Sequence, residues 1–199
     1  MSKEIDYFYT HASPWTYLGS VRFHEIAKAA GATINYRPCN LGKIFPLSGG
    51  LPLPKRAEQR KRYRMFELKR WRDVLDVEIT LEPAFFPVDD TMANRMVVAA
   101  DKRGLDTGRL SNAFLRGVWV EEKNLADEDT LVGIANAQET DGAALLATAK
   151  TDEIGDMYEA YTQEGIERQV FGAPTYIYKD EPFWGQDRLD FVERALKAG

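Results

Sequence analysis

The chain holds one cysteine, Cys39, among 199 residues. A lone cysteine excludes an internal disulfide and any Cys-x-x-Cys redox pair. It fits a reducing, cytoplasmic setting in which thiols stay free. Only two histidines are present. With one cysteine they are too few for a Cys/His zinc site, and no carboxylate spacing suggests another metal. No apolar run reaches the ~18 residues that a membrane span requires. The opening MSKEIDYFYT carries acids and no long apolar stretch, unlike a secretory signal. Positive charge is not in excess: 26 Lys and Arg face 31 Asp and Glu, a net charge of -5. That balance favours solubility and speaks against nucleic acid as a partner.

What is there reads as a globular α/β chain. Hydrophobic residues make up 44% and charged residues 29%, the usual mix of a chain that buries its own core. Ile5 to Tyr9 form a short aromatic-rich strand. His11-Ala12-Ser13-Pro14 breaks the pattern, and Trp15 to Ala30 carry a helical apolar stripe that Gly31 stops. Thr33 to Arg37 predict a second strand. A strand, a crossover helix and a strand imply parallel pairing. Asn40 to Leu53, rich in Gly and Pro, predict a loop, and about Lys55 to Leu75 a helix. Helical periodicity continues from about Thr91 to Thr162, with breaks near Gly104, Lys123 and Gly142. Strand character returns at Thr175 to Tyr178 and Pro182 to Trp184, and a last helix runs from Arg188 to Lys197. The expected fold is a thioredoxin-like domain, β-α-β … β-β-α, with a large all-helical insertion. Residues 1–39 and 166–199 form the domain, and 40–165 the insertion that contributes a substrate pocket.

Three local patterns carry chemistry. Ser13-Pro14 is an N-cap followed by the residue favoured at the first helical position. Such a pair is ordinary capping, yet a helix N-terminus also stabilises an anion, including a thiolate. Ser13 is not a thiol, so a sulfur there has to come from a ligand, to which its hydroxyl donates. As a nucleophile it lacks a base: no Ser-His-Asp spacing is evident, and His11 reads as a loop histidine without a role. Ala173-Pro174 precedes a strand. A cis bond here exposes the main chain of Ala173 to a peptide-like ligand by strand addition, whereas a trans bond makes it a plain turn. In Trp184-Gly185-Gln186-Asp187, Gly185 permits a tight turn and Gln186-Asp187 open a helix. Free N–H groups there suit a ligand carboxylate and Asp187 a ligand ammonium, or Asp187 merely caps the helix. Lys55 to Arg72 hold nine basic residues against Glu58 and Glu67. They form a solvated basic face, or a surface that attracts an anionic substrate.

At these residues the sequence resembles the 2-hydroxychromene-2-carboxylate isomerase family, which is close to the kappa-class glutathione transferases. The matching segments are YFYTHASPWTYLG, ELKRW, ERQVFGAPTYIY and EPFWGQDRLDFVE, spread over nearly the whole chain. The resemblance implies a dimeric, cytoplasmic enzyme with glutathione as cofactor. It implies Ser13 as the active-site serine and Ala173-Pro174 as the segment that pairs with the cysteinyl part of glutathione. Trp184, Gly185, Gln186 and Asp187 would hold the γ-glutamyl end. The family reaction interconverts 2-hydroxychromene-2-carboxylate and trans-o-hydroxybenzylidenepyruvate. The substrate side departs from the family pattern. Its Lys is displaced to Lys43, Lys55-Arg56 stand without the expected Asn, and Phe86 replaces a Tyr. A small aromatic electrophile is the expected substrate. A kappa-like transferase, a disulfide-oxidoreductase relative without Cys-x-x-Cys, and a noncatalytic peptide-binding module remain alternatives.

Overall fold

The computed structural model describes residues 3–199. Four strands, β1 (Lys3–Tyr9), β2 (Ala32–Pro38), β3 (Thr175–Tyr178) and β4 (Glu181–Trp184), make one mixed sheet in the order β2-β1-β3-β4. β1 and β2 are parallel, and β1–β3 and β3–β4 are antiparallel. Helix α1 (Pro14–Ala30) links the parallel pair, and α9 (Leu189–Ala198) closes the chain. Between β2 and β3 lie seven helices: α2 (Leu41–Ser48), α3 (Glu58–Leu75), α4 (Thr91–Lys102), α5 (Thr107–Trp119), α6 (Glu128–Ala137), α7 (Gly142–Ala149) and α8 (Asp152–Glu167). This is the β-α-β … β-β-α layout with a helical insertion that the sequence predicts.

The pleat of β1 explains how the layers meet. Alternate residues point to opposite faces, and both faces of this central strand are covered. Ile5, Tyr7 and Tyr9 turn to one side. Tyr7 stacks on Tyr9 at 4.3 Å and on Tyr176 of β3, its partner in register, at 5.3 Å. Leu18 and Phe23 of α1 join this core. It runs on without a break into Met96, Phe114, Leu131 and Leu145 of the inserted helices. Phe8 points the other way and meets Cys39, Ile44, Val170 and Ile177 in a smaller core.

One element differs from expectation. Residues 41–48, predicted as loop, form α2 despite Pro46 inside it. Asn40 supplies the reason at one end, its side chain accepting from Gly42 N at 2.8 Å. Gly49 in the left-handed conformation stops the helix, and Ile44 anchors it under Phe8. The basic helix starts at Glu58, after a 3-10 turn over Leu53–Lys55.

Candidate active site

Ser13 sits at the N-cap of α1 in extended backbone geometry. Its Oγ accepts from Thr16 N at 3.2 Å, which satisfies one of the free donors of the first turn. The same hydroxyl donates to the carbonyl of Ala173 at 3.3 Å, across 160 residues of chain. The Ala173–Pro174 peptide is cis, as the sequence reading expects of a ligand-facing main chain. Pro174 O accepts from Gly185 N at 2.9 Å. Three motifs distant in sequence therefore meet as Ser13, Ala173-Pro174 and Gly185.

The rim of this meeting point is aromatic. Trp184 is about half exposed and packs edge-on against exposed Phe171 at 4.7 Å. A β-carbon on Gly172 would run into the Trp184 indole, so the small residue there leaves room for the ring. Gly185 has φ of 100°, a backbone region that other residues rarely adopt. Gln186 turns inward and is 2% exposed, packed against Gly19 of α1, with both amide atoms lacking a protein partner. Asp187 is exposed and pairs with Arg188 at 2.9 Å.

A polar frame that the sequence does not reveal holds the loop before Ser13. One oxygen of Asp90, Oδ2, accepts from both the Thr10 hydroxyl and Ala12 N, the latter at 2.9 Å. His11 is fully buried rather than a loop residue without a role. Its Nδ1 meets Asn94 Oδ1 at 2.7 Å and its Nε2 meets Ser111 Oγ at 3.1 Å. With Nδ1 protonated toward the amide oxygen, Nε2 is unprotonated and faces Ser111 Oγ, which also bonds the Tyr9 hydroxyl at 3.0 Å. Burial lowers the imidazole pKa below 6.5, against the opposing effects of Asp90 and Asn94. Both nitrogens are engaged within the protein and Ser13 is not a partner, so no serine–histidine dyad forms. Trp119 Nε1 donates to His11 O at 3.0 Å. These partners lie 83, 100 and 108 residues away, and no local motif announces them.

The residues expected on the substrate side do not gather in the same way. Lys43, on α2, is tied to Glu159 of α8 at 2.6 Å. Arg56 donates from Nε to Leu51 O at 2.7 Å. Lys55 is exposed. Phe86 alone connects to the Ser13 loop, because its ring packs on Trp119 at 5.0 Å. Cys39 is buried, and burial first, then Asp90, pushes its thiol pKa up to about 12. Such a thiol is neither ionised nor reachable near neutral pH, which removes the basis for disulfide exchange through Cys39. Among the described residues no cluster of His, Cys, Asp and Glu has the makings of a metal site. Nor, among them, is any helix long and apolar enough to cross a membrane.

Comparison with known proteins adds to this geometry. The profile of the DSBA-like thioredoxin domain family matches residues 4–197. The 2-hydroxychromene-2-carboxylate isomerase of Sphingobium xenophagum is 28% identical over 198 residues, covering 98% of this chain and 99% of that protein. A solved structure of a 2-hydroxychromene-2-carboxylate isomerase superposes with a TM-score of 0.85 at 24% identity, over 98% of this chain and 95% of that one. A probable DsbA oxidoreductase from Streptomyces coelicolor follows at a TM-score of 0.77 and 17% identity, over 98% and 89%.

Proposed function

We propose a glutathione-dependent isomerase, from the premise that the chain belongs to the DSBA-like thioredoxin domain family. The substrate is 2-hydroxychromene-2-carboxylate, interconverted with trans-o-hydroxybenzylidenepyruvate, or a related aromatic electrophile. The observation that carries the reading is the Ser13–Ala173 contact beside a cis proline. It puts a hydroxyl donor at a helix N-terminus next to main chain suited to a peptide. The isomerase name of the relative that matches end to end is a second support.

The residues suit glutathione. Ala173 offers main-chain groups to its cysteinyl unit, and the Trp184 to Asp187 turn offers its polar groups to the γ-glutamyl end. When bound, glutathione supplies a nucleophilic thiolate that adds to the substrate and later leaves, permitting ring opening and rotation between the two isomers. Ser13 holds the sulfur rather than attacking. Its hydroxyl has a single proton, now spent on a long 3.3 Å bond to Ala173 O. Redirecting that proton to a thiolate exchanges a weak neutral bond for a charge-assisted one. It also frees the Ala173 carbonyl for the ligand's N–H. The α1 dipole acts in the same direction on the anion.

A glutathione titration followed by a turnover assay with 2-hydroxychromene-2-carboxylate tests the reading. Saturable binding and a thiol-dependent approach to the same equilibrium from both isomers are expected. Absence of glutathione binding overturns it. The dispersal of Lys43, Lys55 and Arg56 favours a second reading, a kappa-like transferase on another electrophile. In that case a conjugate accumulates and no thiol is released. The same proposal carries a homodimer in the cytoplasm, and a monomer by sedimentation at micromolar concentration would contradict the first half.

A further inference from the structure

The basic residues at the start of α3 are arranged with an imbalance. Arg56, Arg60 and Arg64 recur at four-residue spacing, and α3 begins at Glu58. Arg60 and Arg64, four apart on α3, share a helix face, where like charges repel, and Arg56, in extended backbone just before the helix, acts on both as a like charge. Cations near a helix N-terminus also oppose its dipole. On the same helix three basic residues do find carboxylates: Lys61 takes Glu58, Arg70 takes Glu67 and Arg72 takes Asp73. Among the described residues Arg56, Arg60 and Arg64 have no carboxylate partner.

Arg64 carries the sharpest part of this imbalance. Its Nη2 is buried and lacks any hydrogen-bond partner. Its Nη1 reaches only the sulfur of Met65 at 3.7 Å. The guanidinium lies 5.4 Å from the centre of the Phe86 ring, a cation–π contact that offsets part of the desolvation and uses none of the directional donors. Burial and the neighbouring Arg56 push its pKa down to about 10. A groove of about 370 Å³ opens beside it, walled by α3 and the Leu81–Phe86 loop. Two acids line this groove. Glu58 is paired with Lys61, and Glu82 is exposed.

We infer that Arg64, with Arg56 beside it and the face of Phe86 beneath, forms a seat for the carboxylate of an aromatic acid. The unused donor geometry of a guanidinium matches a carboxylate. The ring that such a ligand carries finds Phe86 and Leu81 in the same groove. An anion in the groove at Arg64 offsets the repulsion that Arg56 exerts on it. Phe86 packs on Trp119, which bonds to His11 O, so the seat reaches the Ser13 loop through two side chains. The inference rests on the proposed function only for treating the acid as a substrate. On that view substrate charge is read at Arg64 and not at Lys43, which is already neutralised by Glu159.

The test is binding of cinnamate, and of its neutral analogue cinnamamide, to the full chain without glutathione, followed by calorimetry. Wild type is expected to bind cinnamate at least tenfold tighter than cinnamamide. Arg64→Met should abolish that preference, and Arg64→Lys should restore only a part of it. Glutathione affinity should be the same in all three proteins. Equal binding of acid and amide by wild type, or an undiminished preference in Arg64→Met, overturns the inference. So does inorganic phosphate displacing cinnamate with equal affinity, which would show a surface that merely collects anions. Loss of glutathione affinity in Arg64→Met would assign the arginine to the thiol ligand and overturn it as well. The two proposals fail separately. Cinnamate selectivity without glutathione binding leaves the seat and removes the isomerase, and the reverse pattern does the opposite.

Discussion

The two ends of the candidate site are built differently. Around Ser13 the groups are short and fixed by backbone: a helix cap, a cis peptide, a glycine at positive φ and a ladder bond from Gly185 to Pro174. Around Arg64 they are long side chains on a helix, held by a ring contact and left with unused donors. The first end is preorganised and admits little variation in what it binds. The second is set by which residue stands at a few helix positions, and can change its ligand by substitution while the fold stays intact. Under the proposed function, one chain thus combines a constant end for the thiol with an adjustable end for the electrophile.

Trp119 joins the two ends, and breaking it should have the largest effect. It is fully buried, packs on Phe86 and donates to His11 O. Trp119→Ala should cost about 3–5 kcal/mol of stability, and Trp119→Phe distinctly less. Urea unfolding checks this, and a loss under 1 kcal/mol would mean the ends are not coupled through this ring. Next comes Ser13→Ala. A charge-assisted bond of about 1.5–3 kcal/mol corresponds to about one to two pKa units on the bound thiol. Ultraviolet titration of bound glutathione should show that rise with affinity largely kept. An unmoved titration would leave Ser13 as a cap alone.

A smaller effect concerns pH. Burial keeps folded His11 neutral below the 6.5 at which the unfolded chain takes up a proton. The unfolded state therefore binds more protons as pH falls through 6.5, and stability declines until folded His11 also protonates. Urea midpoints measured from pH 7.5 to 5 should fall, and His11→Gln should flatten the curve. A parallel decline in both proteins would assign it to other groups, His24 first, since burial lowers its pKa too. The smallest change is expected of Cys39→Ala. Turnover should be unaltered and stability lower by roughly 1 kcal/mol, because the thiol is a buried packing group under α2.

The parts that can be read from sequence are those that local chemistry dictates. Aromatic strands, a Ser-Pro cap, the Ala-Pro step and Gly185 each leave a signature within a few residues, so the β-α-β … β-β-α layout and the motifs that meet at Ser13 follow. Helix α2 escapes because Gly and Pro there argue against a helix, while the Asn40 cap and the burial of Ile44 decide for one. The frame around His11 escapes for another reason. Asn94, Ser111 and Trp119 reach His11 only because α4 and α5 pack over the sheet, and nothing at residue 11 encodes those distances. Arg64 sits in a basic run whose members look alike until the structure shows which have carboxylates and which do not.

Asp90 ties two parts of the chain at a single atom. Because Oδ2 receives both Thr10 and Ala12, the start of α4 cannot swing from the sheet without releasing the loop that presents Ser13. The amide of Ala12 should therefore exchange its hydrogen with solvent deuterium only when that whole region opens. Its exchange rate then serves as a clock for how often the thiol end and the helical lobe part, in a protein where no other motion need be visible.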